Sequence, residues 1–303
     1  MDRIRSAALV VNTQSRTGQD QFEQACAAMS GLPFDVAPNP VDDPAKLQET
    51  MKRVMAEKPD LLILGGGDGT ISSLIDHLVG TDTILGVLPL GTANSFARTL
   101  GIPLEIEGAV DVLRTGTPRR IDLGMVDDDY FANCAAIGIS PQIASTVPHK
   151  LKRWFGRAGY LGWATLQFAR FRPFELIVGE GADAKRMPAT EVRISNGRFH
   201  GGVELVEEAQ LDSGEIIVQV VSRNGRRGLI RNWGASVLGL ESRRDDTVTF
   251  HARELRIATN PPLPISIDGE VLAETPITAR IAAGVIRVMA PPQPERASQK
   301  AQP

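Results

Sequence analysis

Positive charge is the first thing this sequence lacks. Its 33 Lys and Arg are outnumbered by 36 Asp and Glu, leaving a formal net charge of −3. A general nucleic-acid binder carries a basic surplus, so that class is set aside. Cysteine is nearly absent: Cys26 and Cys134 form neither a disulfide framework nor a metal-spaced cluster, which suits a reducing cytoplasm. The four histidines, His77, His149, His200 and His251, are scattered and suggest no zinc site. No apolar run approaches bilayer-spanning length, and Ala7–Val11 behind the charged start is too short for a secretory h-region. No Gly-x-Ser-x-Gly occurs, which removes the serine hydrolases, and no Gly-Lys-Ser/Thr follows the glycine run, which removes the P-loop.

What is present is ordinary globular material, 42% hydrophobic and 23% charged, over 303 residues. That length reaches the ~250–300 residues at which one core stops growing, so two domains are expected. The first part alternates in the α/β manner. Ser6–Val11, Leu61–Leu64 and Ile84–Leu88 read as short apolar strands. Gln19–Ser30, Pro44–Glu57, Thr70–Val79 and Ala109–Arg114 read as helices. Strands without polar alternation predict a parallel sheet covered on both faces. Beyond Asp122 the texture becomes strand-rich: Val126–Asn133, Phe174–Val178, Thr190–Ile194, Ile216–Val221, Thr247–Phe250, Leu255–Ala258 and Ile265–Ile267. Helical signal there is confined to Pro148–Arg172 and Gly228–Leu240. The expected organisation is an α/β domain over 1–124 and a β-rich antiparallel, sandwich-like domain over 125–292. Its last strands can return to the first domain, and a disordered tail over 293–303 follows.

Three motifs carry chemistry. Leu61–Leu64 runs into Gly65-Gly66-Gly67-Asp68-Gly69-Thr70. Glycines let the backbone approach a ligand closely, and the N–H groups that open the next helix make an anion site. A Gly pair alone would be a tight strand–helix turn; four glycines around an Asp point to phosphate, with Thr70 as a cap or a phosphate donor. One βα unit later, Pro89-Leu90-Gly91-Thr92-Ala93-Asn94 again follows a strand, and ligands of α/β sheets sit beyond strand carboxyl ends. Taken alone, it is an ordinary N-capped turn. Late in the chain, Ile265-Ser266-Ile267-Asp268-Gly269-Glu270 by itself would be a hairpin.

In this order the three resemble the diacylglycerol kinase catalytic-domain family: Gly-Gly-Asp-Gly-Thr, then Gly-Thr-x-Asn-Asp, then a late Asp-Gly-Glu. Arg120–Gly124, Phe131-Ala132-Asn133, Ser195-Asn196-Gly197 and Val285–Pro291 extend the likeness over nearly the whole chain. An NAD kinase or phosphofructokinase shares Gly-Gly-Asp-Gly-Thr and the α/β fold, but Gly91–Asn94 favours the lipid kinases. The resemblance implies ATP and Mg²⁺ as cofactors and a lipid hydroxyl as acceptor. Gly66, Gly67, Asp68, Gly69, Thr70, Gly91, Thr92 and Asn94 would hold the nucleotide, with Asn12 and Ser15 left over from a first phosphate loop. Asp68 and Asp122 would serve the metal. Asp268 would be the general base, with Asp68 and Glu270 completing the catalytic set. There are departures: Thr13 replaces a usual Pro, Ser95 a usual Asp, and Ser213 an Asp of the structural cation site, so that site near Asp212 and Ser213 is not counted on. A catalytically idle lipid- or nucleotide-binding module, or a kinase of a soluble substrate, are the alternatives.

One further segment stands out. From Tyr130 to Phe174 there is no Asp or Glu, yet the stretch holds Lys150, Lys152, Arg153, Arg157, Arg170 and Arg172 among Trp154, Phe155, Tyr160, Trp163, Phe168 and Phe171. Basic and aromatic residues together suit peripheral contact with an anionic membrane by a cytoplasmic protein. A core helix with a basic start is the plain alternative for Tyr160–Phe171. A homodimer is compatible with the sequence.

Overall fold

The structure is a computed structural model that describes residues 4–14, 18–139, 172–222 and 247–292. Two units divide the chain: Met1–Ile121 with Val285–Pro303, and Asp122–Gly284. The first unit therefore ends a few residues before the boundary read from sequence, and it recovers the last part of the chain.

The first unit is built from β1 (Ala7–Asn12), α1 (Gly18–Met29), β2 (Val36–Val41), α2 (Leu47–Ala56), β3 (Leu61–Gly66), α3 (Asp68–Leu74), β4 (Ile84–Pro89), α4 (Ser95–Leu100) and α5 (Ile106–Thr115). Its strands pair in parallel in the order β2-β1-β3-β4. β3 and β4 are buried along their whole length, as strands covered on both faces must be. The helices cover them with apolar stripes at helical spacing: Leu47, Met51 and Val54 on α2, and Ile106, Ala109, Val110 and Leu113 on α5. Full burial of each Leu, Ile, Val or Met among them contributes roughly 1.5–3 kcal/mol. Ahead of α2, Asp43 accepts the Ala45 N–H at 3.0 Å and Pro44 opens a 3₁₀ turn, which starts the helix cleanly. β2 escaped the sequence reading because Val-Ala-Pro-Asn-Pro-Val carries two prolines. It is tolerated because β2 lies at the edge of the order and needs only one ladder.

The second unit runs through β5 (Thr117–Val126), which begins in the first unit, β6 (Asp129–Phe131), β7 (Cys134–Gly138), β8 (Phe174–Val178), β9 (Lys185–Ser195), β10 (Phe199–His200), β11 (Val203–Glu204), β12 (Ile216–Ser222), β13 (Thr247–Ala252), β14 (Glu254–Asn260), β15 (Pro264–Ile267), β16 (Glu270–Glu274) and β17 (Ile277–Ala290), which ends in the first. Its pairings are antiparallel, in the order β16-β15-β7-β9-β8-β14-β17, with β12 joining β9 to β13. β9 is the hub: its first half pairs with β8, and Glu191–Ser195 lies between β7 and β12. Strand alternation sends Ala135, Ile137, Val192, Ile194, Val218, Val220, Ile265 and Ile267 to one face, where they form the core. Val126–Asn133 is not one strand, as the sequence suggested. Asp127 adopts φ 51°, a conformation Asp tolerates, and the chain turns there into the short β6. The helices expected over Pro148–Arg172 and Gly228–Leu240 lie almost wholly outside the described residues, as does the basic aromatic segment.

Candidate functional site

The first unit presents its loops at the carboxyl ends of β1, β3 and β4. Because these strands are parallel and adjacent, Asn12, Gly66–Asp68 and Gly91–Asn94 all emerge at the same edge of the sheet. The two glycine loops touch through bare backbone. A Cβ placed on Gly91 would lie 2.4 Å from Gly67 Cα, so only glycine fits there. Leu90 N–H donates to Gly66 O at 3.0 Å, and Asp68 Oδ1 accepts the Phe96 N–H at 3.0 Å, stitching the first loop to the start of α4. Gly67 is the N-cap of α3, with extended dihedrals. Thr70 therefore falls in the first turn instead of capping, and its side chain packs over Gly66.

Asn94 is 6% exposed and spends its amide on its own loop. Its Oδ1 accepts the Gly91 N–H at 2.9 Å, and its Nδ2 donates to the carbonyls of Gly91 at 2.9 Å and Pro89 at 3.2 Å. It shapes the loop more than it offers groups to a ligand, and its φ of 50° is one Asn adopts readily. Thr92 is exposed. Asn12 Oδ1 accepts the Gln14 N–H at 3.1 Å, an Asx turn that starts the loop after β1. Ser15 lies outside the described residues. A glycine cradle with backbone donors fits a polyphosphate. Among the described residues no group of three or more His, Cys, Asp or Glu side chains forms a metal-holding set.

In the second unit Asp268 occupies the tight turn between β15 and β16, with φ 45° and Gly269 at φ 103°. That left-handed pair gives the two-residue hairpin its Asp-Gly sequence. The carboxylate does more than the hairpin needs. Oδ2 accepts the Ala132 N–H at 2.8 Å, and Oδ1 accepts those of Asn133 at 3.1 Å and Cys134 at 3.0 Å. Asp268 N–H returns a bond to Cys134 O at 3.0 Å. Three N–H donors favour the ionised carboxylate and fix its orientation. Glu270 begins β16 and is exposed.

Asp122, 4% exposed, holds backbone with both oxygens. Its Oδ2 accepts the Gly214 N–H at 2.7 Å and its Oδ1 the Gly284 N–H at 2.8 Å. Asp212 and Ser213 are exposed, and Ser213 Oγ bonds to the backbone of Glu215. Asn196 links this strut to the Asp268 turn: its Nδ2 donates to the carbonyls of Asp122 and Ala132, both at 3.0 Å. The sequence offered Asn196 only as part of a family-like triplet. Its role depends on two carbonyls far away in the chain. Glu191 and Arg193 carry no sequence signal of their own, because polar residues alternating with apolar ones ordinarily face solvent. In the structure Glu191 is only 2% exposed.

Comparison with known proteins is decisive here. A family model described as diacylglycerol kinase catalytic domain matches residues 6–126. A second, described as YegS C-terminal NAD kinase beta sandwich-like domain, matches residues 134–290. The chain belongs to the diacylglycerol kinase catalytic-domain family. Among relatives of this family member, a Chromohalobacter salexigens protein named "Probable lipid kinase YegS-like" is 29% identical over 235 residues, covering 76% of each chain. A Staphylococcus aureus diacylglycerol kinase is 28% identical over 228 residues, covering 74% of this chain and 72% of its own. A crystal structure of a diacylglycerol kinase from Bacillus anthracis superposes with a TM-score of 0.76 at 20% identity, covering 96% of this chain and 99% of that one, and establishes the shared fold. The parallel α/β unit and the antiparallel sandwich-like unit are thus those of this kinase family. Among the described residues, no helix is long and apolar enough to cross a membrane.

Proposed function

We propose that this protein is an ATP-dependent lipid kinase that transfers the γ-phosphoryl group to a lipid hydroxyl. The observation that carries the reading is the backbone contact of Gly67 with Gly91, locked by Asp68, which makes a cradle of the kind phosphates occupy. ATP with Mg²⁺ would supply the phosphoryl group and the cation that neutralises its charge. The chain's own part is positioning. Gly66–Thr70 and Gly91–Asn94 hold the phosphates, and Asp68 keeps the loops in register while facing the cation. In the second unit Asp268 addresses the acceptor hydroxyl. Its carboxylate, oriented by the three N–H groups of the 132–134 turn, would take the hydroxyl proton. A carboxylate stabilised by several donors is a modest base. That suits a loose transition state, in which the nucleophile loses its proton late.

The test is labelled-phosphate transfer from ATP to a lipid panel by the wild type, Asp68→Ala and Asp268→Asn. Asp268→Asn should lower kcat by roughly 10²–10⁴, with the KM for ATP nearly unchanged. Asp68→Ala should abolish turnover with the fold retained. Wild-type rates in either variant would remove that residue from the mechanism, and transfer to soluble alcohols but to no lipid would move the protein to another kinase class. We further propose peripheral contact with anionic membrane through Lys150, Lys152, Arg153 and Arg157.

A further inference from the structure

Two buried amide oxygens in the second unit have no donor. Asn133 and Asn196 are 3% and 1% exposed, and Oδ1 of each has no hydrogen-bond partner among the described residues. Such orphans are rare, because a buried acceptor without a donor has lost the hydrogen bonds it made in water. The two residues touch. One step beyond the last ladder pair of β7 and β9, Cys134 with Ser195, the Asn196 N–H donates to Asn133 O at 2.9 Å. The Asn196 side chain reaches the same way, since its Nδ2 donates to Ala132 O at 3.0 Å. That amide cannot turn over to satisfy itself. Its Nδ2 serves the carbonyls of Ala132 and Asp122, and a reversed amide would set oxygen against both.

The donors of this turn are committed elsewhere. The Ala132, Asn133 and Cys134 N–H groups go to Asp268, and those of Asn196 and Gly197 both go to Asn133 O. Asp268 N–H goes to Cys134 O. Hydrogens for the two amide oxygens must therefore come from a bound molecule. A cation fits less well than a neutral donor. The nearby carboxylates are engaged by N–H groups, three on Asp268 and two on Asp122. Phe131, Ala135 and Ile194 alongside belong to the apolar core. A charge held there by two neutral amides would lose more hydration than it recovers. Water is small and neutral, and it carries two hydrogens for two acceptors.

We propose that Asn133 and Asn196 hold one buried water, which donates a hydrogen to each Oδ1 and pins the 132–134 turn that holds Asp268. Asn133 is the link. Its backbone N–H donates to Asp268 Oδ1 at 3.1 Å, and its side chain takes the water. Asn196 is the anchor, tied through its Nδ2 to the carbonyl of Asp122, whose carboxylate braces Gly214 and Gly284. The water closes a bridge between the two chain segments just past the point where the β7–β9 ladder ends. Asn133 is thus a positioning residue, acting on the Asp268 carboxylate through its own backbone.

The first test needs no variant. A high-resolution crystal structure of the wild type should show one solvent atom within hydrogen-bond distance, about 2.5–3.0 Å, of both Oδ1 atoms. Protein donors on either oxygen, or two separate waters, overturn the proposal. Crystals soaked in a thallium salt should give no anomalous peak at the site; a peak there would make it a cation site and overturn the water. The second test is amide hydrogen exchange on Asn133→Leu, which keeps a similar volume and cannot hold the water. Exchange of the Ala132, Asn133 and Cys134 N–H groups should quicken at least about tenfold, on the order of what one net hydrogen bond supplies, while β3 of the first unit keeps its wild-type rates. Unchanged exchange at the turn, or equal acceleration in β3, overturns the pinning role. Should Asn133→Leu fail to fold, the crystal structure still decides. None of these readouts involves ATP or lipid, so the kinase reading stands or falls separately.

Discussion

Gly91→Ala is the sharpest perturbation the nucleotide loops offer. The added methyl would lie 2.4 Å from Gly67 Cα and 2.8 Å from Asn94 Oδ1. Ordinary contact begins near 3.4 Å, so the two loops must part by about 1 Å, and neither neighbour can swing aside: one is backbone, the other an amide tied to Gly91 N–H. Overpacking of this kind costs about 1–3 kcal/mol. For a chain of this size each kcal/mol is worth roughly 2–4 °C, so Tm should fall by about 2–12 °C. Activity should suffer more, because a misplacement of about 1 Å in a positioning site can cost on the order of 10²-fold in rate. Gly69→Ala is the internal comparison. A methyl there meets nothing within 4 Å, so its Tm should stay within about 1 °C of wild type. The assays are a thermal melt and ATP turnover on both variants. If Gly91→Ala melts and turns over like the wild type, the backbone contact is not what organises the loops, and the phosphate cradle built on it falls.

Asn196→Ala removes two bonds to buried carbonyls and should destabilise by about 1–3 kcal/mol in a denaturant melt; an unchanged midpoint would show that the Asp122 strut and the Asp268 turn do not depend on it. Asp60 accepts the N–H groups of Arg5 and Ser6, which hold its carboxyl below the usual carboxylate range. Its contribution should be full above about pH 4 and fade as pH falls through the lower native value, so Asp60→Asn should lower Tm at pH 7 and much less near pH 2.5. Equal Tm losses at both values would contradict that linkage. Replacing Lys150, Lys152, Arg153 and Arg157 by Gln should weaken sedimentation with anionic vesicles, at about 1 kcal/mol per charge, and high salt should mimic the change; equal sedimentation would return the segment to the role of an internal helix.

The first unit was legible because its signals are local. Buried parallel strands announce themselves as unbroken apolar runs, and Gly65–Thr70 carries both its turn and its chemistry within six neighbours. β2 was hidden because Pro38 and Pro40 argue against a strand, and only an edge position overrides that argument. In the second unit the antiparallel, β-rich character could be read from strand texture, but the roles of side chains there depend on partners distant in sequence. Asp268 looked like a hairpin residue until its carboxylate met the 132–134 turn, more than a hundred positions away. Asp122 stood out only by family likeness, and the bonds its oxygens receive from the N–H groups of Gly214 and Gly284 depend on residues about ninety or more positions away. Glu191 and Arg193 show the remaining gap. Periodicity says which residues share a face, and only packing says whether water reaches that face.

The return of the chain to the first unit has a consequence for biosynthesis. Arg287 and Val288 pair in parallel with Ile84 and Leu85, and Val285 O accepts the Gly80 N–H. The strand that closes the β4 edge is therefore the last described piece to leave the ribosome, after every residue of the second unit. Until it arrives, β4 presents an open edge to other nascent chains, the exposure that invites mispairing. The sheet that carries the glycine loops is completed only once the second unit has been made. A truncated product would lack the closing strand of its nucleotide-side sheet, so cellular quality control would meet it as an unfinished sheet with β4 unpaired along one side.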